Sequence, residues 1–256
     1  MRIYVITHKT FKSIKTSSIY VPLLVGEKKN IATDIFLKDD SNRDNIADKN
    51  SSFCELTGAY WIWKTSREDI VGICHYRRYF CDTKYILKKY TVLSEHKIRN
   101  TLKQYDIILP AKDNYEYNNK PAKVFFAEMH DVEVWNNCRK IIELFYPEYL
   151  SDFEWFEKET AGYCYNMMIV RKDLFDDYHE WLFNILFKLE KLTDINKYKG
   201  YNTRMFGFMS ERLLNVWVHH KNLRIKEKYI YNTDSPKLYK KVEKRLKKIL
   251  ERNRKN

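Results

Sequence analysis

Four short runs of apolar, largely β-branched or aromatic residues limit what this chain can become. They are Ile3-Tyr4-Val5-Ile6, Ile70-Val71-Gly72-Ile73-Cys74, Ile107-Ile108-Leu109 and Met167-Met168-Ile169-Val170. Each is too short for a helix and shows no polar alternation, which is the pattern of a strand covered on both faces. Between them lie longer stretches with apolar residues at helical spacing, such as Phe53, Leu56, Tyr60 and Trp63, or Phe175, Tyr178, Leu182, Ile185 and Leu189. Strands are predicted over 2–7, 19–25, 70–74, 105–110, 165–170 and 223–230, with Pro22 marking an edge or turn. Helices are predicted over 53–63, 84–104, 121–150, 173–192 and 210–219, and a polar loop over 38–52. This alternation predicts an α/β fold with a mostly parallel sheet flanked by helices. In such folds ligands sit outside the carboxyl ends of the strands.

The chain has 256 residues, enough for one domain with an appendage. The division expected is a body over 1–235 and a tail over 236–256. The tail holds ten Lys/Arg against two Glu, so it carries +8 of the net +13. The body is therefore only mildly basic, and a footprint for nucleic acid is not implied. Leu238, Val242, Leu246, Ile249 and Leu250 give the tail an apolar stripe. A basic amphipathic helix of this kind suits an anionic membrane surface, or packs on the body of the protein. No apolar run is long enough to span a bilayer. Met1 leads directly into a strand pattern, so no secretory leader is expected. The five cysteines are odd in number and form no CxxC pair, which argues against a disulfide framework and a structural zinc site. A cytoplasmic setting is expected.

Four clusters carry candidate chemistry. In His75-Tyr76-Arg77-Arg78 two guanidiniums and an imidazole follow a buried strand; the guanidinium fork suits phosphate oxygens, or else pairs with surface carboxylates. The block Asp44–Lys64 has a polar half suited to a nucleoside and a helix with Ser51 or Ser52 as cap and Glu55 in its first turn; Trp61 and Trp63 read better as core anchors. In Arg204–Leu214, Ser210 is expected as an N-cap with Glu211 in the first turn. That carboxylate either accepts a proton from a hydroxyl or complements the helix dipole. Glu128–Glu133 holds His130 and Asp131 between carboxylates but matches no standard metal spacing. Asn166, ahead of an apolar run, either binds a hydroxyl or caps a turn. Asp-x-Asp, GxGxxG, a P-loop, GxSxG and HExxH are all absent.

Taken together, Lys49-Asn50, Cys54-Glu55-Leu56-Thr57, Tyr60-Trp61-x-Trp63-Lys64, Gly72–Phe80, Tyr105–Pro110, Tyr165-Asn166-Met167 and Ser210-Glu211-Arg212-Leu213 resemble a bacterial glycosyltransferase family. That family occurs in capsule, O-antigen and exopolysaccharide clusters, was formerly labelled a domain of unknown function, and includes galactofuranosyl- and galactosyltransferases. The resemblance spans roughly residues 1–230. It implies a GT-A-like, Rossmann-type domain that moves galactofuranose or galactose from a UDP-sugar to a growing, lipid-linked glycan at the inner face of the plasma membrane. It further implies that His75, Arg77 and Arg78 hold the diphosphate. Thr7, His8, Lys9, Asn45, Lys49 and Glu55 would hold the nucleoside, and Asn166 and Arg204 the sugar or acceptor. Glu211, or failing it Asp131, would serve as base. Many GT-A enzymes bind a divalent metal through Asp-x-Asp; without it, cationic side chains are expected to replace the metal. The competing reading is a non-catalytic glycan- or phosphate-binding protein, or a scaffold of a polysaccharide assembly complex.

Overall fold

β1 (Arg2–Thr7) is buried along almost its whole length, and its alternation divides the core in two. Tyr4 and Ile6 face a large helical layer; Ile3 and Val5 face a smaller one with Tyr20, Tyr79, Ile98 and Leu102. A computed structural model of the protein describes residues 1–11, 18–26, 34–82, 92–113 and 119–234. The tail over 236–256, with its expected helix, lies outside the described residues, as do 84–91 of the stretch expected to be helical over 84–104.

β1 lies between β2 (Tyr20–Leu24) and β4 (Ile70–His75), parallel to both, and the two-residue β3 (Leu37–Lys38) adds outside β2. Four more strands follow: β5 (Arg78–Cys81), β6 (Ile107–Pro110), β7 (Met168–Arg171) and β8 (Ile225–Asn232). The lower part of β4 pairs antiparallel with β7, and its tip pairs with β5 through His75 and Arg78. β5 then pairs antiparallel with β8, β8 parallel with β6, and β6 antiparallel with β7. Strands β4, β5, β8, β6 and β7 thus close into a ring, and β1 to β3 extend from it. The expected mostly parallel sheet is corrected to a mixed one. The physical reason is the connection Tyr76-Arg77: two residues can only reverse the chain, so β4 and β5 must run antiparallel. Read as a strand end, His75–Arg78 is in fact a hairpin.

The helices are α1 (Asn50–Phe53), α2 (Leu56–Thr65), α3 (Glu95–Leu102), α4 (Ala122–Met129), α5 (Val132–Phe145), α6 (Leu150–Lys158), α7 (Lys172–Lys191) and α8 (Met205–His220). The expected helix 53–63 is broken at Cys54, whose φ of 54° is left-handed. Ser51 and Ser52 therefore lie inside α1, and Glu55 occupies the N-cap position of α2. The expected helical stretch 121–150 breaks at His130-Asp131, where Asp131 Oδ1 accepts from the Glu133 amide at 2.9 Å. α8 begins at Met205, so Ser210 is buried inside the helix rather than capping it. Trp61 is buried and Trp63 stacks on Phe183 at 5.8 Å, the structural role expected of both. No helix among the described residues is long and apolar enough to cross a membrane.

Two features of this core give measurable expectations. A Cβ on Gly72 would lie 2.4 Å from Ile3 Cδ1 and 3.0 Å from Ile169 Cγ1, and both neighbours are fully buried. Gly72→Ala is expected to cost about 1–3 kcal/mol by overpacking, read from denaturant midpoints. His179 is sealed under Phe175, its Nδ1 2.7 Å from the Phe175 carbonyl, and burial pushes its pKa down to about 3. The unfolded chain binds a proton near pH 6.5 that the folded chain refuses. Stability is therefore full above that pH and falls by ~1.4 kcal/mol per unit below it, down to about pH 3. Thermal melts between pH 7 and 5 should show this slope, and His179→Gln should flatten it.

Candidate active site

The order in which the strands are laid down creates the opening. β2 and β3 are added on one side of β1 and β4 on the other, so the connections part at the carboxyl ends of β1 and β4. Ligand crevices form at such points. Here the parting is widened because the sheet splays at His75: below it β4 pairs with β7, above it with β5. The result is a crevice of two lobes, of about 570 and 360 Å³. Both lobes are walled by Glu55, His75, Arg78 and Arg204, which form the junction between them.

The first lobe is cationic. Thr7, His8, Asn50, Cys54, Tyr76 and Arg77 line it beyond the junction. Tyr76 at the hairpin turn gathers the charges: Arg77 lies 4.9 Å and Lys9 5.5 Å from its ring centre, and His8 meets it edge-on at 5.4 Å. Thr7 is buried and its hydroxyl donates to the Lys9 carbonyl at 2.6 Å, shaping the loop that carries His8. Arg78 stands over Tyr165 at 4.7 Å, which holds its guanidinium across the mouth of the splay. Arg77 is more exposed and pairs with Asp234 at 2.8 Å. Burial lowers the pKa of His75; Glu55 opposes the shift, and Arg78 and Arg204 add to it. His75 therefore meets a ligand as a neutral imidazole, and its buried Nε2 has no hydrogen-bond partner among the described residues. His8 is likewise pushed down, by burial and then by Lys9, Arg77 and Arg204.

Glu55 is held from behind. Asn166 Nδ2 donates to Glu55 Oε1 at 2.9 Å, and Ser210 Oγ donates to Asn166 Oδ1 at 2.7 Å. The left-handed Cys54 turns Glu55 into the crevice, and Arg204 Nε donates to Cys54 Sγ at 3.1 Å. Burial, with Glu55 next in weight, pushes the Cys54 thiol up to about 11, so it stays protonated. Beyond the junction the second lobe is walled by Phe125, His130, Tyr165, Tyr201 and Phe208, and Glu211 and Arg212 line it as well. Arg212 Nη1 donates to Glu211 Oε2 at 2.7 Å.

Of the residues expected from sequence, Thr7, His8, Glu55, His75, Arg77, Arg78 and Arg204 line the first lobe, and Glu211 lines the second. Asn166 stands behind Glu55 rather than in the open crevice. Lys9 reaches the rim through Tyr76. Three others are engaged elsewhere. Lys49 pairs with Glu190 at 2.7 Å, and Asn45 is bonded within its own turn, to Asn42 and Ala47. Asp131 caps α5 and accepts from the Tyr198 hydroxyl at 2.8 Å. Asn50, from the polar half of the Asp44–Lys64 block, also lines the first lobe; Ser51, Gly200 and Thr203 there, and the aromatic wall of the second lobe, were not expected as site residues. Among the described residues no three His, Cys, Asp or Glu side chains stand together as metal ligands. The junction supplies one carboxylate and one imidazole together with two guanidiniums.

The fold is similar to that of a solved glycosyltransferase. The chain superposes on the apo structure of WbbM, a bifunctional glycosyltransferase, with a TM-score of 0.79 and 30% identity over 91% of its length. It spans 45% of that longer chain, a little under half. The chain belongs to the family described as domain of unknown function DUF4422, which matches residues 2–222. No curated protein matches it.

Proposed function

We propose that the protein is a glycosyltransferase that moves a sugar from a nucleoside-diphosphate-sugar to a hydroxyl of a glycan acceptor. The carrying observation is the convergence of Arg77, Arg78 and Arg204 on one lobe at the carboxyl ends of β1 and β4. Guanidiniums are suited to a diphosphate, and they neutralise the charge that grows on it as the bond to the sugar breaks. The nucleoside would lie toward Thr7, His8 and Asn50, with His75 offering a neutral hydrogen-bonding nitrogen. The acceptor oxygen attacks the anomeric carbon, and the sugar–phosphate bond breaks. The nucleoside diphosphate leaves with the electron pair, and a carboxylate takes the acceptor proton. Glu211 and Glu55 both face the acceptor side. Glu55 borders both lobes and is oriented by Asn166, whereas Glu211 is engaged by Arg212, so Glu55 is given the proton and Glu211 is the competing base.

The donor is read as UDP-galactofuranose or UDP-galactose and the acceptor as a lipid-linked cell-surface glycan. The basic tail would seat the enzyme on the anionic inner leaflet. The test is a thermal-shift screen of nucleotide-sugars, followed by turnover with and without chelator. A binder of the folded state raises the melting temperature. Stabilisation by UDP-sugars over free hexoses, with chelator-insensitive release of UDP, is the expected result. Absence of any nucleotide effect would remove the reading.

A further inference from the structure

The second lobe has a composition that the diphosphate does not call for. Tyr201 is 59% exposed at its rim, yet it is not a stray surface residue. Its ring lies 4.8 Å from Phe208, and Phe208 stacks on His130 at 4.3 Å with 18° between planes. Arg204 caps this shelf, 5.7 Å from both the Tyr201 and Phe208 rings. His130 Nδ1 is tied to Asn202 Oδ1 at 2.9 Å, which fixes the imidazole in the stack. Burial, assisted by Arg212, lowers the His130 pKa, so the shelf is uncharged at this point. Glu211 and Arg212 line the same lobe.

A hydrocarbon chain would want apolar lining throughout, and this lobe is also lined by Glu55, Arg78, Arg204, Glu211 and Arg212. A phosphate would leave the shelf of Tyr201, Phe208 and His130 without a use. A sugar ring wants both halves of what is here. One face of the ring presents C–H groups, which suit the negative face of an aromatic ring. Its hydroxyls are donors and acceptors in one plane, which suit a carboxylate beside a guanidinium. The volume of about 360 Å³ falls within the range of small-ligand sites. The lobe also opens onto Glu55, so a ring on the shelf has its edge at the junction.

We infer that the second lobe is a hexose-binding subsite in which the acceptor's terminal sugar stacks on Tyr201 and Phe208 and is gripped at its hydroxyls by Glu211 and Arg212. This deepens the proposed function and rests on it for the word acceptor; the subsite itself rests on the lobe. The experiment is saturation-transfer NMR on the full chain, with UDP present and methyl glycosides of galactose, glucose and mannose as probes. The expected result is transfer to ring protons of at least one hexoside, cut about tenfold by Tyr201→Ala and retained in Tyr201→Phe. Transfer to none of the three hexosides while UDP gives its own signal would overturn the inference. So would transfer that Tyr201→Ala leaves unchanged. If UDP gives no signal while a Tyr201-dependent hexoside signal remains, the nucleotide-sugar reading fails and the subsite stands.

Discussion

Arg78→Ala is expected to lower turnover of the nucleotide-sugar by about 10²–10³ with little change in melting temperature. Arg78 opens β5, pairs with His75 across the hairpin and lies over Tyr165 at 4.7 Å, so its guanidinium is fixed before any ligand arrives. A fixed cation stabilises developing charge without reorganising, which is why its loss falls on the chemical step. Arg77→Ala should cost far less, about tenfold, because Arg77 is more exposed and already shares its charge with Asp234 at 2.8 Å. Single-turnover release of UDP measures both. Equal and small effects would mean that the hairpin does not hold the diphosphate.

The second large effect is at Glu55. Glu55→Gln keeps the shape and an oxygen for the Asn166 amide to donate to, so the fold and the Asn166–Ser210 relay survive. What it removes is the ability to take a proton. A kcat loss of about 10³, with the UDP-sugar Kd unchanged, is expected. Glu211→Gln should raise the acceptor KM and leave most of kcat. The reverse outcome, kcat collapsing in Glu211→Gln and surviving in Glu55→Gln, would transfer the role of base to Glu211. Asn166→Ala serves as the positioning control: it frees the Glu55 carboxylate without deleting it, and an intermediate kcat is expected.

The local signals in the sequence were sound where a single segment carries them. The apolar runs became β1, β4, β6 and β7, and the cationic block after β4 became the wall of the first lobe. Local polarity was a weaker guide to where a side chain would be engaged. Asn45 and Lys49 sit in a polar stretch, but one is consumed by its own turn and the other by Glu190 on α7, far along the chain. Ser210 looks like a cap because it precedes Glu211, yet helix α8 had already begun at Met205 and the hydroxyl serves Asn166 instead. The break at Cys54 has no glycine or proline to announce it; Asn50 Nδ2 accommodates the turn by donating to the Cys54 carbonyl at 2.7 Å. The second lobe was invisible for a different reason. Phe125, Tyr165 and Phe208 are brought together only by tertiary packing, and no spacing rule links three aromatics so far apart.

The ring of strands closes through β8, and β8 begins at Ile225, after the family match has ended at residue 222. The ring is therefore completed outside the matched residues. A fragment cut at the family boundary would keep every crevice residue named above except Asp234, the ion-pair partner of Arg77. It would also leave β5 and β6 with bare backbone edges, ready to recruit a strand from another molecule. The smallest self-sufficient piece must run through Asn232, and expression trials that stop short of it should give aggregates rather than a weakened enzyme.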